Sequence, residues 1–334
     1  MRIVITGASG NVGTSLTTLL QNDNRVDEIV GIARRKPSWT LPKVRFVQRE
    51  IGTDDLGPDL AGADALIHLA WIIQPARDLA AMHQVNVVGS RRLWDAAAKA
   101  GVPTIIHASS VGAYSPRRGT DPVSEDYPTD GIVTSAYSRQ KAYVERQLDA
   151  FELAHPDTRV VRLRPGLIFK GGAATEIHDY FLGPLVPRAL LRRDWLPALP
   201  DDGRIRFQAV HSDDIARAYQ AVLHSDIRGA VNVADEAVID MPRLAELLET
   251  RTVRIPSAAI RAAAATTFAA RLQPTPAGWV DLAQQAPAMD ISRAHDRLDW
   301  RPQRSGADAL LELLEGLSEG WAGRTPPLKH GAPE

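Results

Sequence analysis

The sequence predicts an α/β protein built on a doubly wound parallel sheet, with a smaller, mixed lobe in its C-terminal half. Three observations predict it. Short β-branched runs alternate with longer amphipathic stretches through the first half of the chain, which is the pattern of βαβ units. A glycine-rich turn, "TGASGNVG" from Thr6 to Gly13, joins the first run to the first helical stretch. The length of 334 residues exceeds one average domain, leaving room for a large core and an appended lobe.

In chain order, strands are expected near 2 to 6, 28 to 33, 44 to 48, 65 to 69, 103 to 108 and 159 to 164. Helices over 12 to 22, 79 to 100 and 136 to 154 are long enough for the crossovers that parallel strands require. After Arg164 the prolines Pro165, Pro184, Pro187, Pro197 and Pro200 interrupt the chain as far as about residue 205. The segments "RFQAVHSDDIARAY" and "GAVNVA" within 206 to 234 read again as strand, helix, strand. The expected division is therefore a core of 1–165 plus 206–234 and a lobe of 166–205 plus 235–320. A loose, apolar-poor tail is expected over 321–334.

Lys plus Arg number 39 against 40 Asp plus Glu, a balance that gives no electrostatic reason for a nucleic acid or an anionic membrane as partner. A small-molecule substrate is expected instead. The absence of cysteine excludes disulfides, thiolate metal sites and thiol nucleophiles. No basic stretch followed by a long apolar one opens the chain, and no run of about 18 apolar residues occurs, so a cytoplasmic protein is expected.

Gly7, Gly10 and Gly13 stand three apart between a strand and a helix. Such a turn lets backbone approach a pyrophosphate while the helix N-terminus offers free amides to it, which predicts a dinucleotide cofactor rather than a plain connection. An acidic side chain at the end of the second strand would hold the 2′-hydroxyl of NAD, but that position is Ala33, followed by Arg34, Arg35 and Lys36. Guanidinium groups pair well with phosphate, so NADP is favoured, with NAD the other candidate. Tyr137 and Lys141 lie four apart on one face of a predicted helix, and Ser109 and Ser110 follow a strand at the edge where open α/β sheets bind ligands. His68, His107 and His211 lack metal-ligand spacing and read as structural; no metal is expected. Trp71, Tyr180, Phe181, Trp195 and Trp279 are candidates for a substrate pocket or for core packing.

The chain resembles the extended short-chain dehydrogenase/reductase superfamily, of the NAD-dependent epimerase/dehydratase type, a Rossmann fold. The likeness is carried by "TGASGNVG", "HLAW" from His68, "NVVGSRRLWDAA" from Asn86, "SSVGAY" from Ser109, "YSRQK" from Tyr137, "RPGLIF" from Arg164, "VHSDDIARA" from Val210 and "LDWRP" from Leu298. It implies Tyr137 as general acid/base, Lys141 as the residue that binds the nicotinamide ribose and lowers the tyrosine pKa, and Ser110 as the hydroxyl that orients a carbonyl. It implies cofactor contacts from Ser9, Asn11 and Val12 beside the three glycines, and from Arg34, Arg35 and Ile51 around the adenosine. Leu69, Ala70, Trp71, Asn86, Ser109, Tyr137, Lys141, Pro165 and Leu167 complete that implied set. Homodimers through the helices near 79 to 100 and 136 to 154 are a further implication.

Three functions follow from the resemblance. The first is hydride transfer between NADP(H) and a small or mainly apolar carbonyl or alcohol. The second is epimerisation or dehydration of a nucleotide sugar, and the third a non-catalytic NADP-binding sensor, which would not need all of Ser110, Tyr137 and Lys141. Val111 and Gly112 stand where sugar dehydratases of this superfamily place an acidic pair. Leu167 and Phe207 stand where sugar epimerases commonly carry an Asn and a diphosphate-gripping Arg, with Arg206 one residue away. Those departures favour the first function.

Overall fold

A computed structural model describes residues 1–74, 76–183 and 197–329. β1 (Arg2–Thr6) leads through α1 (Asn11–Leu20) to β2 (Glu28–Ala33) and β3 (Val44–Gln48), and the short α2 (Gly57–Leu60) precedes β4 (Ala65–His68). Then α3 (Leu79–His83), a π-helical stretch (Gln84–Gly89) and α4 (Ser90–Lys99) run on as one crossover to β5 (Thr104–Ala108). α5 (Ala136–Ala154) precedes β6 (Arg159–Pro165), where the chain leaves the sheet for β7 (Leu167–Phe169), α6 (Ala174–Ile177), β8 (Leu199–Asp201) and β9 (Arg206–His211). It returns through α7 (Ser212–Leu223) to β10 (Gly229–Val233). The last elements are β11 (Val238–Asp240), α8 (Met241–Leu247), β12 (Thr252–Arg254), α9 (Ser257–Ala269), α10 (Gly278–Gln285), α11 (Ser292–Leu298) and α12 (Gly306–Glu319).

Seven strands form one parallel sheet in the order β10-β6-β5-β4-β1-β2-β3. Strand order reverses between β1 and β4, the switch point at which such sheets open a crevice for ligands. The strands are apolar on both faces because helices cover both. Ile3 and Ile5 of β1 pack with Leu16, Leu20 and Tyr219 on one side, while Val4 faces Leu66, Trp94, Leu148 and Phe151 on the other. Each such side chain contributes about 1.5–3 kcal/mol by leaving water.

A correction concerns residues 206–211, expected in the core. β9 pairs with β7 (Leu167↔Ala209) and antiparallel with β11 (Ile239↔Phe207), in a separate three-stranded sheet. The core resumes only at α7 and β10. No helix among the described residues is long and apolar enough to cross a membrane.

Candidate active site

The glycine turn begins where β1 ends. A Cβ on Gly13 would come within 2.2 Å of the Gly7 carbonyl oxygen, so α1 can start against the turn only with glycine there. α1 has neither a side-chain cap nor an acidic residue in its first turn, which leaves its N-terminal amides for an anion. Asn11 Oδ1 and Trp71 Nε1, on the loop and on the facing strand end, are buried without a hydrogen-bond partner. Such atoms are costly unless a polar ligand meets them, so the residues present fit a dinucleotide. The cleft runs from Gly7, Ser9 and Gly10 past Ala33, Arg34 and Arg35 to Ile51, and back along Leu69, Ala70 and Trp71.

Ser110, Tyr137 and Lys141 come together at the adjoining strand ends. Ser135 caps α5, which starts one residue before Tyr137. Ser110 Oγ accepts from the Gly112 amide at 3.0 Å and lies close enough to the Tyr137 hydroxyl to act on it. Gly112 permits this approach, since a Cβ there would lie 2.8 Å from the Tyr137 ring. Lys141 Nζ donates to the Ala108 carbonyl at 2.8 Å and lies 3.5 Å from the Trp71 ring centroid and 5.8 Å from that of Tyr137. Burial pushes Tyr137 up to about 12, against the pull of Ser110, and pushes Lys141 down to about 7, against the pull of Glu145. Positive charge arriving beside the phenol is what would lower it.

Beneath this set lies a closed polar network. Glu145, one turn after Lys141, receives Arg164 through Nε at 2.8 Å and through Nη2 at 2.5 Å, and also the Ser109 hydroxyl. Arg164 Nη1 reaches Tyr114 Oη at 3.0 Å, and Tyr114 donates to Asn232 at 2.6 Å. The Ser109 hydroxyl thus points into the network, and Ser110 alone of the two serines serves Tyr137. Asn86 is a second departure from the implied contacts. It is fully buried and holds both the amide and the carbonyl of Ile72 at 2.8 Å and the Gln140 side chain at 2.9 Å, so it positions the cleft wall rather than meeting a ligand. Pro165 is likewise buried, paired with Val233 at the end of β6. Val12, on the first turn of α1, is half-buried and packs on the core.

The lobe closes over Tyr137 with aromatic rings. Trp279 of α10 lies 4.8 Å from its ring centroid, Trp71 meets it edge-on at 6.2 Å, and Phe181 stands edge-on to Trp279 at 5.0 Å. Leu167 is 38% exposed at the head of β7. Phe207 packs instead against Phe169 at 6.4 Å, with Ile239, Leu244 and Leu310 around it. Arg206 alternates to the other face of β9 and donates to Thr120 O, while Arg117 donates to Arg204 O at 2.9 Å. These three arginines face one another with no salt bridge among the described residues, and Arg117 Nη1 and Arg206 Nε are buried without partners. Burial, and then the charges of Arg206 and Arg204, hold the Arg117 pKa down against the pull of Asp202. Trp195 lies outside the described residues.

His68 is fixed between Thr6 at 2.6 Å and Ser90 at 2.8 Å, and burial drives it down to about 3. His107 is pressed against it and Trp94, and His211 contacts Arg304 and Glu312. Among the described residues no group of acidic or His side chains is placed to hold a metal. Among the cleft residues that the sequence reading did not name are Glu50 just past β3, Glu176 on α6, and Pro327. Glu50 had a local signal, its place beside Ile51; the other two come from distant segments. The tail read as loose is docked through residue 329. Thr325, fully buried, donates to the Ser9 carbonyl at 2.6 Å, and Leu328 is buried beside it.

A model of the NAD dependent epimerase/dehydratase family matches residues 3–234. An uncharacterized protein of Mycobacterium tuberculosis is 27% identical over 94% of this chain, which spans only 30% of that protein's length. UDP-glucose 4-epimerase of Mycolicibacterium smegmatis is 29% identical over 94% of this chain and 98% of its own. In fold, UDP-glucuronic acid 4-epimerase from Bacillus cereus in complex with UDP-glucuronic acid and NAD superposes with a TM-score of 0.71. It shares 19% identity and covers 96% of this chain and all of that one.

Proposed function

The chain belongs to the NAD dependent epimerase/dehydratase family, and from that premise we propose that it is an NAD(P)-dependent oxidoreductase that epimerises a nucleotide-linked sugar. The observation that carries this reading is the pair Arg117 and Arg206 beside the lobe, whose Nη1 and Nε are buried without hydrogen-bond partners, with the Arg204 guanidinium near them and Asp202 the carboxylate within electrostatic reach of Arg117. The Arg117 amide donates to Gln285 at one end of α10, while Trp279 near the other end stacks on Tyr137. Six residues of helix span about 9 Å, the reach of one hexose between a reacting carbon and a diphosphate. Buried donors of this kind are satisfied by a multivalent anion. Of Leu167 and Phe207, the two departures that weighed against a nucleotide diphosphate, Phe207 packs on the Phe169 side of β9 and turns away from the Arg206 face. The name of the mycolicibacterial relative agrees with the reading.

In this reading Tyr137 takes the proton from a sugar hydroxyl and returns it, while Ser110 donates to the same oxygen as charge develops on it. Lys141, whose Nζ donates to Ala108 O, would hold the nicotinamide ribose, and Trp71, Trp279 and Phe181 exclude water. A bound nicotinamide dinucleotide supplies the hydride acceptor and donor. Val111 and Gly112 offer no acid to expel water, which sets dehydration aside. A second reading, reduction of a mainly apolar carbonyl compound, is favoured by the aromatic wall at Tyr137.

Calorimetry on the cofactor-loaded protein separates the two. UDP-hexoses are expected to bind at micromolar Kd, about −8 kcal/mol. Arg117→Ala with Arg206→Ala should weaken that binding by tenfold or more, each lost contact to a charged ligand costing about 1.5–3 kcal/mol. Millimolar binding of every UDP-sugar, with NADPH consumed by apolar ketones, would give the site to the second reading.

A further inference from the structure

The dinucleotide cleft contains a carboxyl group that none of these steps uses. Glu176 belongs to α6 of the lobe, yet it lines the same cleft as Gly7, Ala33, Arg34 and Arg35. Its carboxyl lies close to the Tyr180 hydroxyl and within electrostatic reach of Arg35, and Tyr180 lies near both Arg34 and Arg35. The element is held across the cleft mouth from the core side: Gln74 Nε2 donates to the Tyr180 carbonyl at 2.8 Å. At the end of β2, where an acidic side chain would receive the ribose 2′-hydroxyl of NAD, Ala33 has no polar group to offer.

We propose that Glu176 is a determinant of cofactor choice: it brings from the lobe the carboxylate that β2 lacks, accepting from the 2′-hydroxyl of NAD and opposing the 2′-phosphate that Arg34 and Arg35 attract. This inference rests on the reading of the cleft as a dinucleotide site. Glu176 then faces Arg34 and Arg35 in a cleft that Arg49, already paired with Asp59, and Glu50 also line, and its carboxylate offsets part of the pull of the two arginines. Discrimination in favour of NADP is correspondingly shallow in the native protein. Burial pushes the carboxyl up to about 7, with Tyr180 and Arg35 holding it down. A carboxylate with that value is largely ionised at about pH 8.5.

The test is direct binding of NADP and NAD to the full-length protein at that pH, by calorimetry, for wild type and Glu176→Gln. The amide keeps the shape and removes the charge. NADP should tighten about tenfold while NAD holds or weakens, so that the ratio of the two Kd values shifts by tenfold or more. Glu176→Asp, which draws the carboxylate back, should shift the ratio part of the way. Arg35→Gln should shift it in the opposite direction, and it stands in if the Glu176 variants fail to melt cooperatively. A wild type that binds both cofactors, with variants that leave the ratio unchanged, would overturn the selectivity proposal alone. A wild type that binds neither would overturn the cleft assignment and the proposal with it.

Discussion

Tyr137 stands between two regions built on opposite plans. On its sheet side, Ser109, Glu145, Arg164, Tyr114 and Asn232 are buried and joined by hydrogen bonds into one network, while Lys141 and Ser110 are held by the backbone at Ala108 and Gly112. On its lobe side, Trp279 and Phe181 offer ring faces, and Arg117 and Arg206 keep buried donors without partners. A saturated network fixes geometry before any ligand arrives, which is what positioned acid/base chemistry needs. Two unpaired charged donors side by side are costly until a ligand or water meets them. The difference therefore separates what performs a reaction from what selects a molecule for it.

The comparison breaks most sharply at Tyr137 itself. Tyr137→Phe removes one hydroxyl from a ring that keeps its packing on Trp279, so turnover should fall by about 10³-fold or more while dinucleotide binding and the melting temperature stay near wild type. Stopped-flow measurement of cofactor absorbance beside a thermal melt checks this, and near-normal turnover would remove Tyr137 from the chemistry. The network comes next. Arg164→Leu leaves the Glu145 carboxylate buried without its strongest partner, an error worth about 3–5 kcal/mol in urea unfolding, whereas Arg164→Leu with Glu145→Leu should recover much of the loss. Additive losses in the double variant would show that the pair does not act as a unit.

The smallest effect sharpens the comparison through pH. The Lys141 pKa falls from 10.5 to about 7 on burial, so between those values the unfolded chain holds a proton that the ligand-free native state lacks. Stability then rises with pH across that window, and the unfavourable contribution of Lys141 is complete below pH 7. Replacing it, as in Lys141→Met, should delete that slope, at most about 1.4 kcal/mol per pH unit for one proton. Equal pH profiles for the two proteins would place the ammonium in a better solvated site than its burial indicates.

Most of the sheet was legible in the sequence because period, β-branching and crossover length report local structure. The glycine turn and the Tyr137 and Lys141 pair were legible for the same reason, being local in sequence. β9 was not. Its residues alternate like any strand, and alternation states which faces are apolar without naming the sheet that the strand joins, here that of β7 and β11. Phe207 was misplaced through the same gap, since its face depends on the partner strands. The arginine trio unites residues as far apart as 117 and 206, and Glu176 meets Arg35 only through the fold. Asn86 and Ser109 carry motif positions whose side chains are already consumed within the protein, which spacing cannot reveal.

The bond from Thr325 to the Ser9 carbonyl ties together positions 316 residues apart. On a ribosome adding about 5–20 residues per second, the glycine turn emerges roughly 15–60 s before the residue that seals it. Throughout that interval the N-terminal βαβ units are present and the cleft lacks one wall. Completion of the cofactor pocket thus waits for residue 325, and a nascent chain released before it carries the phosphate turn without its latch.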